Sequence, residues 1–167
     1  MSDNQNDAVI LSAVRTPIGR FLGGLSAVPA TRLGAVAIEE AVKRAGLPEL
    51  GKIDEVLMGC VVPAGLGQAP ARQAAIYGGL PGNVGATTIN KVCGSGLKTV
   101  MLAAQSIRAG DGQLFVAGGM ESMSRTPFLI DGRLGQLRYG HSQLTDALQH
   151  DGLWDPFENW IMGEASD

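Results

Sequence analysis

Cysteine is scarce in this sequence: Cys60 and Cys93 are the only two in 167 residues. They form no CxxC pair, and the two histidines, His141 and His150, stand at no zinc-ligand spacing from them. That pattern argues against a disulfide scaffold and against a metal site. Aromatics are 5% of the residues, charged side chains are 17%, and the net charge is −3 with no run of one sign. Neither nucleic acid nor an anionic membrane surface is therefore an expected partner. No apolar run approaches transmembrane length. The opening MSDNQND is polar and acidic, with no signal peptide after it. These absences leave a globular protein in a reducing, cytoplasmic setting, with residues 1–7 as a disordered tail.

What is abundant is small and apolar. Apolar residues make up 45% and there are 24 glycines, which suits helices packed closely on a sheet. The length is enough for one domain with a real core. Residues 8–14 (AVILSAV) read as a strand buried on both faces. Arg15 and Arg20 follow it in a loop fixed by Pro17; they suit either an anion or loop carbonyls. Thr31 reads as the N-cap of a helix with Leu33, Val36, Ala37, Ala41 and Ala45 on its apolar face, ended by Gly46 and Pro48. Residues 53–58 (IDEVLM) read as a second strand. The glycine-rich loop 59–68 then contains Gly65-Leu66-Gly67, but Pro70 stands where a dinucleotide fingerprint needs its third glycine, so that cofactor is rejected. A helix over 70–77, a strand over 87–92, a helix from Cys93 and a strand over 114–117 complete the alternation. Leu97, Val100, Met101, Ala104 and Ile107 form the expected apolar face of the helix from Cys93. Strands alternating with helices predict an α/β fold, mainly parallel, with helices on both faces. From Ser122 no strand is evident; loops around a short helix over 142–150 are expected.

The stretch 87–100, TTINKVCGSGLKTV, places Cys93 where a strand meets a helix. Unpaired N–H groups and the helix dipole there favour a thiolate and hence nucleophilicity. Gly94 and Gly96 remove side chains where a substrate would approach. The local pattern leaves two readings open, a nucleophile and a buried core cysteine.

Five segments in order, VILSAVRTPIGRF, GLGQAPARQAA, NKVCGSGLKTV, AGGMESMS and DGLWDPF, resemble the thiolases, acetyl-CoA acetyltransferases in particular. The resemblance runs over almost the whole sequence. It implies a layered fold of two similar α/β halves with an inserted loop domain. Residues 1–121 would match the first half without its last strand, and residues 122–167 the start of the loop domain. It further implies that Cys93 accepts an acetyl group as a thioester and that a second acetyl-CoA, deprotonated at its methyl carbon, attacks it to give acetoacetyl-CoA. The Cys93 backbone N–H, with Gly94 beside it, would serve an oxyanion. No cofactor would be bound permanently; coenzyme A thioesters would be the substrates. The partners implied are acetyl-CoA or another acyl-CoA, and either like subunits in a homodimer or homotetramer or a complementing C-terminal half.

Two departures shape these expectations. The family's activating histidine, its second cysteine and its thioester-binding asparagine would all lie downstream of Asp167. His141 and His150 read as surface residues and Cys60 as a core residue, so the isolated chain is expected to be inactive. A non-catalytic truncated fragment is the competing reading. Met162 and Gly163 match a substrate pocket, but Ile161 stands where many short-chain biosynthetic thiolases carry histidine. Longer 3-ketoacyl substrates, as for a thiolase of fatty acid β-oxidation, are thereby left open. A ketoacyl synthase of the same superfamily fits the GGMESMS and GLGQAPARQ segments less well.

Overall fold

The segment 53–58 predicted as a strand becomes the centre of the molecule. In the computed structural model, which describes residues 7–133, 137 and 139–166, strand β1 (Glu55–Gly59) lies between β2 (Gly85–Ile89) and β3 (Phe115–Gly119), parallel to both. The helices are α1 (Ala30–Ala45), α2 (Pro70–Tyr77) and α3 (Ser95–Ala109). The expected α/β architecture is the one that forms. The register places Gly59 beside Ile89 and Gly119, so all three strands end at one level.

Alternation along β1 explains the layering. Val56, Met58 and Cys60 face one side and join Ile38 and Val42 of α1 and Ala71, Ala74 and Ala75 of α2 in the core. The intervening Gly59 faces α3: a Cβ on it would lie 2.7 Å from the Ser95 carbonyl carbon. Helix α3 also packs tightly on β3, since a Cβ on Gly119 would lie 3.3 Å from the Gly96 Cα. Helix α2 starts at Pro70, whose missing N–H costs nothing there. Thr88 Oγ1 of β2 accepts the Ala71 N–H at 3.0 Å and fixes that start on the sheet. Helix α1 ends as expected at Gly46, in the left-handed region with its N–H on Lys43 O.

Several expectations are corrected. Residues 8–14 form no strand: Val9 and Ile10 are 75% and 79% exposed, and Ser12 Oγ donates to Ala41 O of α1 at 2.6 Å. A strand needs a neighbour for its N–H and C=O groups, and among the described residues none pairs with this one. Of the tail expected over 1–7, residues 1–6 lie outside the described residues. The N-cap of α1 is Pro29, with Thr31 buried in the first turn. The face α1 buries is Ala30, Gly34, Ile38 and Val42, while Val36 is exposed. Helix α3 buries Ser95, Thr99 and Ala103; Leu97, Val100 and Met101 point outward, Leu97 being 68% exposed. The reason is proximity, because only small side chains fit where α3 meets the sheet. The helix starts at Ser95 rather than Cys93, and β2 ends at Ile89 rather than at residue 92. Beyond Ser122 there are short strands after all: β4 (Phe128–Leu129) pairs with β5 (Thr145–Asp146), and β6 (Trp154–Asp155) with β7 (Trp160–Ile161), both antiparallel. The helical turn expected over 142–150 is a wide turn at Leu148–Leu153.

The packing at Gly59 makes a direct prediction. Gly59→Ala should destabilise the chain by about 1–3 kcal/mol, because the new methyl meets backbone that cannot swing aside. Urea unfolding followed by circular dichroism measures it, and a variant as stable as the parent would show that the contact is not tight.

Candidate active site

The turn between β2 and α3 has to reverse the chain within a few residues while keeping its polar groups paired. It does so by placing Val92 in the left-handed region, φ 49°, which a β-branched residue rarely adopts. Three hydrogen bonds hold it there. Asn90 Oδ1 accepts the Val92 N–H at 3.0 Å. The Val92 carbonyl accepts both the Ser95 N–H at 3.0 Å and the Ser95 hydroxyl at 2.5 Å. Ser95 Oγ also accepts the Lys91 N–H at 2.8 Å. Ser95 is buried, so its hydroxyl is fixed from both sides.

Cys93 follows Val92 on this turn and is exposed, ahead of the N-cap Gly94 of α3. It stands at the carboxyl end of the sheet, where ligand sites in such folds collect. Of the two backbone groups expected to serve an oxyanion, the Gly94 N–H already donates to Lys91 O at 3.1 Å, within the turn.

Cys60 is the opposite kind of thiol. It is 1% exposed, as expected of a core residue. Its Sγ donates to Glu121 Oε1 at 3.5 Å. Burial pushes its pKa up to about 12, and the Glu121 charge and hydrogen bond push the same way. Glu121 lies just past β3 and holds the loop after β1, accepting the Val61 N–H at 2.7 Å and the Val62 N–H at 3.4 Å. Its neighbours bind a second loop: Ser122 Oγ donates to Val28 O at 3.0 Å, and Ser124 Oγ accepts the Leu22 N–H at 2.9 Å.

The other expected site residues lie elsewhere. His141 and His150 are exposed, and His150 Nδ1 is 2.8 Å from Asp151 Oδ1. Arg15 and Arg20 are exposed. Met162 and Gly163 follow β7 and are exposed, with the Met162 N–H on Leu153 O at 2.9 Å. Among the described residues, no hydrogen bond ties either of them or either histidine to the Cys93 turn. Two surface hollows of about 420 and 410 Å³ border α1 and α2, and Cys93 lines neither. Sequence reasoning missed Asn90 and Glu121. The first had a signal, since an asparagine two residues before a turning position commonly binds that N–H. The second lies in the AGGMESMS segment, but nothing local named its partners, which are about sixty positions away.

The family profile described as thiolase, N-terminal domain, matches residues 8–167. The chain belongs to the thiolase family. It is 54% identical to an acetyl-CoA acetyltransferase of Cupriavidus necator over 96% of its own length and 41% of that relative's. It is 52% identical to acetyl-CoA acetyltransferase 2 of Arabidopsis thaliana, over 99% and 41%. Its structure superposes on a thiolase of Ascaris suum in complex with coenzyme A with TM-score 0.90 and 45% identity, covering 96% of this chain and 41% of that one. The chain thus spans about two fifths of the length of these relatives. Among the described residues no helix is long and apolar enough to cross a membrane.

The two thiols predict opposite behaviour. Iodoacetamide at pH 7 should label Cys93 in the folded chain while Cys60 stays unmodified until the chain unfolds; equal labelling of both in the folded chain would count against this site. Cys60 also makes stability depend on pH. Its pKa rises on folding from 9.0 to about 12, so its contribution is complete below pH 9 and is lost as pH climbs towards 12. Urea midpoints should therefore fall above pH 9 in the parent, and fall less in Cys60→Ala.

Proposed function

We propose that this chain supplies the acyl-accepting part of an acetyl-CoA acetyltransferase. The observation that carries the reading is an exposed cysteine on a strained, hydrogen-bonded turn ahead of α3, within a chain about half identical to acetyltransferases. Cys93 Sγ attacks the acetyl carbonyl of acetyl-CoA, giving its proton to a base outside these residues. The C–S bond to coenzyme A breaks, and the departing thiolate takes up a proton. A second acetyl-CoA loses a proton from its methyl carbon, and that carbon attacks the Cys93 thioester. Acetoacetyl-CoA forms and the Cys93 thiolate leaves. Thiolysis is the reverse. Coenzyme A thioesters enter only as substrates. The names of the relatives favour this reading over longer 3-ketoacyl substrates and over a non-catalytic fragment.

Site and domain assignments belong to the same reading. Cys93 is the nucleophile, and the backbone N–H of Cys93 faces the acyl oxygen; Gly94 shapes the turn. Met162 and Gly163 belong to the acyl pocket, completed by chain outside these residues. Residues 1–121 form the incomplete first α/β half and residues 122–167 the start of the loop domain. The outward stripe of Leu97, Val100 and Met101 suits cover by like subunits in a homodimer or homotetramer, or by a complementing C-terminal half. Two free thiols suit a reducing cytoplasm.

Mixing the chain with acetyl-CoA and mapping the adduct by mass spectrometry tests the proposal. Slow acetylation confined to Cys93 is expected, with no acetoacetyl-CoA thiolysis above a Cys93→Ala control. Thiolysis should appear when the chain is extended by, or combined with, the C-terminal part of a relative, and should vanish in Cys93→Ala. Acetylation spread over other residues, or turnover that survives Cys93→Ala, would overturn it.

A further inference from the structure

A contiguous run of hydrogen bonds links a carboxylate beyond β3 to the peptide beside Cys93. Glu121 accepts the N–H groups of Val61 and Val62 at 2.7 and 3.4 Å. The peptide that contributes the Val62 N–H also contributes the Val61 carbonyl, and this accepts Asn90 Nδ2 at 3.3 Å. The other end of the same side chain, Asn90 Oδ1, accepts the Val92 N–H at 3.0 Å. Turning the amide over would set Oδ1 against a carbonyl and Nδ2 against an N–H, so only one orientation satisfies both ends. Every donor in the run points towards Glu121. The Val61–Val62 peptide thus stands between the carboxylate and Asn90, its N–H facing Glu121 and its carbonyl facing the Asn90 amide. The run joins the exits of all three parallel strands: β3 through Glu121, β1 through Val61 and β2 through Asn90.

We propose that Asn90 and Glu121 are positioning residues for Cys93, Asn90 by holding Val92 in its left-handed conformation and Glu121 by fixing the Val61–Val62 peptide on which Asn90 is anchored. Neither touches the reacting atoms. The inference rests on the reading of Cys93 as the acyl acceptor, but it is tested without acyl transfer. A residue with a Cβ leaves the left-handed region when nothing holds it there. Cys93 then leaves its exposed place on the turn ahead of α3, at the carboxyl end of the sheet.

The test uses the 167-residue chain and three readouts: amide exchange at Val92, alkylation of Cys93 by iodoacetamide at pH 7, and protection of Cys60 as the control for an intact fold. Asn90→Ala and Glu121→Ala should each speed Val92 exchange and slow Cys93 alkylation by about tenfold, the factor that corresponds to about 1.4 kcal/mol, with Cys60 still protected. Adding Val92→Gly to Asn90→Ala should restore alkylation to within about threefold of the parent, since glycine enters the left-handed region freely. Should Glu121→Ala fail to fold, Glu121→Gln decides, with a smaller change in the same direction expected. Val92 exchange and Cys93 alkylation at parental values in a folded Glu121 variant would confine Glu121 to its loop and overturn the proposal; so would failure of Val92→Gly to rescue. If Cys93 is never acetylated yet these shifts appear, the acyltransferase reading fails and the positioning network stands.

Discussion

The closeness of α3 to the sheet is the constraint on which the rest depends. Gly59 ends β1, Gly119 ends β3 and Gly96 lies in the first turn of α3, and no Cβ fits between Gly59 and Ser95. Thr99 confirms the approach, its hydroxyl donating to Gly96 O within the helix at 2.7 Å and lying 3.0 Å from Gly118 O of β3. With the helix seated so low, its buried face must be small, and Leu97, Val100 and Met101 face away from the sheet. The start of the helix is thereby carried to the level of the strand ends. The turn that feeds it has only residues 90–94 in which to leave β2 and enter α3, and a left-handed Val92 is the consequence.

The opposite face of the sheet follows a different logic. Helices α1 and α2 present Gly34 and Ala74 to one another, and Ile38, Val56, Met58 and Met120 fill the space between them and the strands. This side is an ordinary apolar core stabilised by area removed from water. It leaves Cys60 buried and protonated, and it anchors the start of the segment that carries Glu121. One thiol is thus committed to packing and the other to the surface. The difference comes from which face of the strand ends each occupies, not from the identity of the residue.

The segment from Met120 to Arg125 connects the two sides. Met120 packs in the core, with its N–H on Gly59 O at 2.9 Å. Glu121 takes the loop after β1, while Ser122 and Ser124 take the loop before α1. A short polar stretch therefore closes both loops over the strand ends, on the level where Cys93 stands. The bonds to Glu121 are partly sheltered from water, and hydrogen bonds to a carboxylate are stronger than neutral ones.

The sequence by itself determined what depends on near neighbours. Pro70 set the start of α2, Gly46 the end of α1, and the β-rich runs around Val56 and Val116 became β1 and β3. The CGSG segment marked Cys93. Tertiary structure decided whatever needs a distant partner. Residues 8–14 have the composition of a strand yet find no partner strand among the described residues, and strand propensity is realised only against a neighbouring strand. The face of α3 was misread because periodicity ranks side chains by hydrophobicity, whereas the sheet admits them by size. The support of the Cys93 turn, from Glu121 through Val61 and Asn90, joins positions far apart in the chain, and only folding brings such groups within hydrogen-bond reach.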